Sequence, residues 1–176
     1  SIDEYVRTKG EFANNISVKM KDGVIEIEDD GRGIPVVEVD TPDGKKWQAV
    51  TAFTHARAGS NFDDDNRDSI GMNGVGSMIT FVTSKTFEVK SGDGKNTINM
   101  KSRNAEVSSV NKTKSDYRGT LVKFRPDLDF FGLTELNDEH VSVIENRVKT
   151  LALAFPDIRF KFNARVVKSN NKTFFG

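Results

Sequence analysis

Cysteine is absent from the 176 residues, which excludes disulfides, a thiolate nucleophile and thiolate metal sites. Histidine occurs only at His55 and His140, with no partner at ligand or catalytic spacing, so a helix-face or capping role is the expectation for both. No apolar run approaches the roughly 18 residues of a membrane span, and the first residues lack the basic-then-apolar pattern of a signal peptide. Charge of one sign is not in excess either. Lys plus Arg and Asp plus Glu number 26 each, so any contact with nucleic acid has to come from a local patch or from further parts of the protein. Internal repeats and low-complexity segments are also missing. A soluble, cytoplasmic protein with no membrane partner is the expectation these absences leave.

What is present suffices for a core, since 36% of the chain is hydrophobic and 13 residues are Phe. We expect one domain over residues 1–176. Ser1 to Arg7 reads as the second half of a helix, with Ile2, Tyr5 and Val6 on one side and Lys9-Gly10 as its stop signal; with no initiator Met, a fragment truncated at its N-terminus is expected. Ile16, Val18 and Met20 alternate with polar residues, Lys21-Asp22-Gly23 supplies a turn, and Val24, Ile25 and Ile27 continue a hairpin that delivers Asp29 at its end. Pro35 to Gly44 reads as a loop with a small excursion at Thr41-Pro42-Asp43-Gly44, and Trp47, Val50 and Phe53 recur at helical spacing toward Arg57. Residues 58–70 are too hydrophilic to pack and read as a polar lid, while Val75, Met78, Ile79 and Val82 form a helical stripe expected to bury under a sheet.

Strands follow around Thr86–Lys90, Asn96–Lys101, Ala105–Val110 and Thr120–Phe124. Asn137 is placed to cap a helix whose apolar positions are Val141, Ile144, Val148, Leu151 and Phe155, with Pro156 as its terminator. Ile158, Phe160 and Phe162 then alternate as a late strand, followed by Val166-Val167 and a turn at Ser169-Asn170-Asn171. The order predicts a two-layer α/β (α+β) sandwich with a mixed, mainly antiparallel sheet and helices on one face.

Two glycine-rich runs carry the chemistry. Gly71-Met72-Asn73-Gly74-Val75-Gly76 opens a helix, where unpaired amides and the absence of Cβ atoms suit a phosphate; a glycine turn that only packs a helix against a strand is the competing explanation. A Rossmann fingerprint is excluded by the GxxGxG order and the polar loop before it, and a Walker loop by the lack of Lys-Ser/Thr after the last Gly. Some 40 residues earlier stands Asp29-Asp30-Gly31-Arg32-Gly33-Ile34-Pro35. A carboxylate at a strand end can accept a hydrogen bond from adenine's exocyclic amine, and leaving such a partner unpaired costs about 1–3 kcal/mol. Gly31 and Gly33 would open space for a base and Ile34-Pro35 would wall it, although an Asp-Asp-Gly turn is often only a turn. The acidic run Asp63–Asp68 lacks the Gly and Glu of a calcium loop.

Together these runs resemble the gyrase-type, or Bergerat-fold (GHKL), ATPases, and most of all the ATPase domain of type II DNA topoisomerases, with a mixture of branch features that would suit a T-even-phage type large subunit. Gly59-Ser60-Asn61-Phe62-Asp63-Asp64 followed by Gly71 to Gly76 resembles that family's lid, and Gly119-Thr120-Leu121-Val122-Lys123-Phe124-Arg125-Pro126 is similar to the strand whose Thr lies beside the adenine. The resemblance implies that ATP is bound by Asp29, Gly31, Gly33, Ile34, Pro35, Ser60, Asn61, Gly71, Met72, Asn73, Gly74, Val75, Gly76, Ser77, Met78 and Thr120. It also implies Mg²⁺ as cofactor, DNA and other topoisomerase subunits or domains as partners, and a homodimeric N-terminal gate driven by ATP hydrolysis. Ser1-Ile2-Asp3-Glu4 fits the end of the family's first motif, which places the Mg²⁺-binding Asn and the general-base Glu before Ser1, so no catalytic residue and no metal ligand are expected within 1–176. An ion pair of Asp3 or Glu4 with Arg32 is expected from the same geometry. A chaperone or MutL-type mismatch-repair ATPase, or a non-catalytic nucleotide-gated dimerisation module, are the alternatives.

Overall fold

The alternation of apolar and polar residues that defines the first hairpin extends across the whole molecule. The computed structural model describes residues 1–55 and 75–167. A short helix α1 (Ile2–Arg7) leads into β1 (Asn15–Lys21) and β2 (Val24–Asp29), joined by a tight turn in which Asp22 and Gly23 both take positive φ. Then come β3 (Glu38–Thr41), β4 (Gly44–Trp47), α2 (Gln48–Thr54), α3 (Gly76–Val82), β5 (Ser84–Asp93), β6 (Asn96–Arg103), β7 (Glu106–Lys114) and β8 (Arg118–Pro126). The chain continues through α4 (Asp138–Ala154), β9 (Arg159–Phe162) and β10 (Arg165–Val167).

Eight strands form one sheet in the order β10-β9-β1-β2-β8-β5-β6-β7. Among the described strands only the β1–β9 pairing is parallel; the others are antiparallel, as the sandwich expectation required. Directly paired residues share a face, and the row Val18, Ile27, Val122, Val89, Met100 is apolar from β1 to β6. All the described helices lie over that face. At one end α4 buries Val148 and Ala152 against Ile16, Phe160 and Phe162, with Ile2 and Tyr5 of α1 packed alongside. At the other, Val50 of α2 and Phe81 of α3 pack on Phe87, Val89 and Met100.

Three expectations change. Pro35 to Gly44 is not one loop, because Glu38–Thr41 and Gly44–Trp47 pair as a small two-stranded hairpin around Pro42-Asp43. Trp47 therefore ends β4 and stands before α2 rather than on its stripe, although it still packs against the second cluster. The α3 stripe does not bury as a whole: Phe81 takes the core position, while Ile79 and Val82 are about half exposed. The face turned to the core is the one that carries Phe81, roughly 100° around the helix from the Val75–Val82 stripe.

The α4 boundaries follow from local chemistry. The Asn137 side chain accepts from the Glu139 and His140 amides, and the His140 ring accepts from the Asn137 amide, a reciprocal box that fixes His140 as a capping residue. Pro156 follows Phe155 and ends the helix. No described helix is long and apolar enough to cross a membrane.

Phe87 is 1% exposed and touches three other rings, with Phe81 edge-on at 5.6 Å between centroids, Phe53 at 5.7 Å and Phe124 at 6.2 Å. Phe87→Ala is expected to lower unfolding free energy by about 3–5 kcal/mol, whereas Val143→Ala on the outer side of α4 should change it by less than about 0.5 kcal/mol. Urea titration of both variants checks the contrast, and equal effects would show that the second cluster is not the core.

Candidate functional site

β2 ends at Asp29, and in register beside it lie Thr120 of β8 and then Ser91 of β5. The loop that leaves β2 crosses these strand ends at very short range. Gly33 (φ +74°) lies so close to the Gly92 carbonyl that a Cβ would collide with it, and Gly119 (φ +128°) stands against the Asp29 carbonyl in the same way. Gly92 has the Tyr117 carbonyl on its own Cβ side. Only glycine satisfies both the positive φ and the approach at Gly33 and Gly119. The space freed at Gly33 is therefore filled by backbone, a role different from the open base-facing space expected of it.

The close approach fixes the polar groups. The Ile34 amide donates to Ser91 Oγ at 2.8 Å, and Ser91 Oγ lies 3.2 Å from Thr120 Oγ1. Ser91 is fully buried, so these partners satisfy a hydroxyl that water cannot reach. The Asp29 carboxylate is 11% exposed; Oδ1 accepts the Gly31 amide at 2.9 Å and Oδ2 accepts the Ser1 hydroxyl at 2.5 Å. An ionised carboxylate has about four acceptor positions, so two donors hold its orientation and leave acceptor capacity for a ligand. Asp30 differs from its neighbour in sequence. Both of its oxygens are engaged by Asn15, one by the backbone amide at 2.8 Å and one by the side-chain amide at 2.6 Å.

The Glu4–Arg32 pair expected from the sequence is present and bidentate, with Nε–Oε1 at 2.6 Å and a second bond from the other guanidinium arm at 3.2 Å. Hydrogen bonding from Arg32 holds the Glu4 carboxyl below its ordinary range. Arg32 also lies 5.5 Å from the centre of the Phe12 ring, and Arg118 lies 5.8 Å from it. Pro35 follows Ile34 on the loop, which places the expected apolar wall next to the Ser91 contact.

Val75, Gly76, Ser77 and Met78 open α3, whose neighbours include α2 and β5. Among the described residues no hydrogen bond links them to Asp29 or Thr120, and the Ser77 hydroxyl donates to the Ala52 carbonyl of α2 at 3.0 Å. No described residue lies within 4 Å of a Cβ built at Gly76. Ser60, Asn61, Gly71, Met72, Asn73 and Gly74, with the expected lid and the Ser169-Asn170-Asn171 turn, lie outside the described residues. A cleft of about 220 Å³ touches Asp29, Asp30, Arg118 and Lys161. That is below the roughly 300–1,000 Å³ of a small-molecule pocket.

Sequence reasoning missed Ser91, Phe12 and Tyr117. The signal for Ser91 was a Ser-Gly pair inside a strand, which marks a close backbone approach. Tyr117 donates to Glu28 Oε1 at 3.1 Å and carries Lys90 Nζ 3.9 Å above its ring.

No family model matches the chain. Among curated proteins it is 41% identical to the DNA topoisomerase large subunit of Enterobacteria phage T4, over 99% of this chain and 34% of that protein. It is 33% identical to a DNA gyrase subunit of Thermotoga maritima, over 88% of this chain and 24% of that protein. The chain thus spans about a third or less of the length of these relatives. Among solved structures, the ATPase region of Saccharomyces cerevisiae topoisomerase II bound to ICRF-187 (dexrazoxane) superposes with a TM-score of 0.85 at 26% identity, covering 94% of this chain and 45% of that one.

Both tyrosines titrate above the ordinary phenol range. Burial comes first for Tyr117, with the Glu28 carboxylate adding to it, and desolvation followed by the Asp157 carboxylate raises Tyr5. Folding therefore favours the neutral phenols, and that contribution is complete below the unfolded value near about 10 and is lost as pH rises through the folded values. In an alkaline titration the folded protein is expected to form phenolate later than the urea-unfolded protein, and Tyr117→Phe should reduce the loss of stability above about pH 10. Near-ultraviolet phenolate absorbance reads the first and thermal melts the second; coincident folded and unfolded titrations would refute the Tyr117–Glu28 contact.

Proposed function

The chain belongs to the gyrase-type ATPase domains of the type II DNA topoisomerases, and on that premise we propose that it binds ATP at the β2 end and that hydrolysis drives the N-terminal gate of an ATP-dependent double-strand-passage enzyme. The observation that carries this reading is the Asp29 carboxylate, oriented from the protein side on both oxygens, at a glycine-lined strand end beside the Ser91–Thr120 hydroxyl pair. An acceptor so oriented suits an exocyclic amine. Gly31 would hold that acceptor in place, Ile34 and Pro35 would wall the base, and Thr120 would present its hydroxyl alongside.

The phosphates are assigned to the glycines from Gly71 to Gly76 with Ser60, Asn61, Met72, Asn73, Val75, Ser77 and Met78, on the family resemblance of those residues. Mg²⁺, when bound with ATP, would neutralise charge on the phosphoryl oxygens. Homodimerisation at the gate, partnership with other topoisomerase subunits or domains, contact with DNA and a cytoplasmic setting belong to the same proposal. A chaperone or mismatch-repair ATPase is not favoured, because the relatives are named as topoisomerase and gyrase subunits.

Asp29→Asn in the full-length protein preserves side-chain volume and one acceptor oxygen but presents an amide donor on the other. Affinity for a non-hydrolysable ATP analogue is expected to fall by roughly 10- to 100-fold or more, with thermal stability little changed. Isothermal titration tests this, and unchanged affinity would remove Asp29 from the base-reading role.

A further inference from the structure

We propose that the uncovered face of the eight-stranded sheet binds the phosphate backbone of duplex DNA. Every described helix lies over the apolar face, and the residues alternating with that core point the other way. Within the strands, pair register and alternation assign nine Lys or Arg and four Glu to this uncovered face. The chain as a whole is neutral, so an excess of five positive charges here is balanced by an equal excess of negative charge elsewhere. Patterned charge of this kind is invisible in the composition.

The four carboxylates do not cancel the field. Glu26 is taken by Lys19 at 2.9 Å, Glu28 accepts from Tyr117, Glu88 lies in register between Lys123 and Lys101, and Glu106 stands in register with Arg103. Lys101, Arg103, Lys123 and Arg125 are exposed and form no ion pair among the described residues. The cations are spread rather than convergent. Lys123 and Lys101 stand two strands apart, about 10 Å, and Lys101 and Arg103 two residues apart along β6, about 7 Å. A single small anion cannot touch such an array, whereas the phosphates bordering a groove about 12 Å wide can. Electrostatic contact of this type positions a duplex without reading its sequence.

The choice of duplex DNA rests on the proposed topoisomerase reading; the charge array does not. Asn111 of β7 is exposed and on this face, in register with Asn99. In the full-length protein, Asn111→p-benzoylphenylalanine is expected to photocrosslink to a labelled duplex, and the same exchange at Val143, on the opposite side of the molecule, is not. Lys101→Gln, Arg103→Gln, Lys123→Gln and Arg125→Gln combined should reduce the slope of log affinity against log salt by about 0.9 for each phosphate no longer neutralised, roughly 2 to 4 in total.

Crosslinking from Asn111 to a second protein chain instead of DNA, no crosslink at all, or an unchanged salt slope would each overturn the proposal. The crosslinking arm keeps the native charges, so it decides the matter even if the fourfold variant is poorly folded. Binding of the ATP analogue, measured on the same samples, separates the two readings: retained binding with no DNA crosslink sinks only the DNA face, and absent binding in the unsubstituted protein sinks the ATPase assignment.

Discussion

The site depends on one constraint, the contact of backbone with backbone where the loop after Asp29 passes over the ends of β5 and β8. Gly33 against the Gly92 carbonyl and Gly119 against the Asp29 carbonyl bring three chain segments closer than any side chain allows. Once they are that close, the Ile34 amide reaches Ser91, Ser91 reaches Thr120, and Thr120 stands beside Asp29. A methyl group at either glycine would separate the segments and leave a fully buried Ser91 hydroxyl without its donor, a loss of about 1–3 kcal/mol added to the strain of a positive φ. The position of the carboxylate is thus a consequence of packing between main chains. Hydrogen bonds from Gly31 and Ser1 then set its orientation.

The sheet divides its two faces by the same alternation that builds it. Along β8, Thr120, Val122 and Phe124 face the helices while Leu121, Lys123 and Arg125 face away. The helix side supplies the hydrophobic clusters and, at the strand ends, the polar row of Asp29, Thr120 and Ser91. The other side carries the charged residues. Charged side chains there are spared burial beneath a described helix, so they stay at least partly hydrated.

Much of the fold was legible because its signals are local. Ile16, Val18 and Met20 with Asp22-Gly23 announce the first hairpin, and Asn137 with the Val148-Leu151 spacing announces α4. The β3–β4 hairpin was not, since two four-residue strands rich in charged residues give too short a pattern for a period to emerge. Asp29, Gly31 and Thr120 could be singled out from their motifs, but the partner of Gly33 is Gly92 and the partner of Ile34 is Ser91, 57 residues on. Nothing local encodes such a pairing. The same holds for Phe12, which meets Arg32 and Arg118 only because β2 and β8 are neighbours. The charge of the uncovered face was hidden for a different reason: it needs the register of the strands, and composition averages it to zero.

β8 also limits how the two faces can communicate. It is paired with β2 on one side and β5 on the other, so shifting Thr120 relative to Lys123 would break ladder hydrogen bonds on both edges at once. From Thr120 to Phe124 every residue of β8 is paired on both sides, and a side chain there cannot move its neighbours on the other face independently. The sheet therefore behaves as a fixed platform, and any rearrangement that follows ligand binding has to fall on elements attached by fewer bonds. α3 is one of these: seven residues with one buried side chain, packed mainly on α2 and β5. It is also the element whose first turn carries the last residues of the glycine run. Rigidity at Asp29 and weak anchoring at Gly76 put the fixed and the adjustable parts of the proposed site on different elements, which is the arrangement a base-reading acceptor and a phosphate-following loop require.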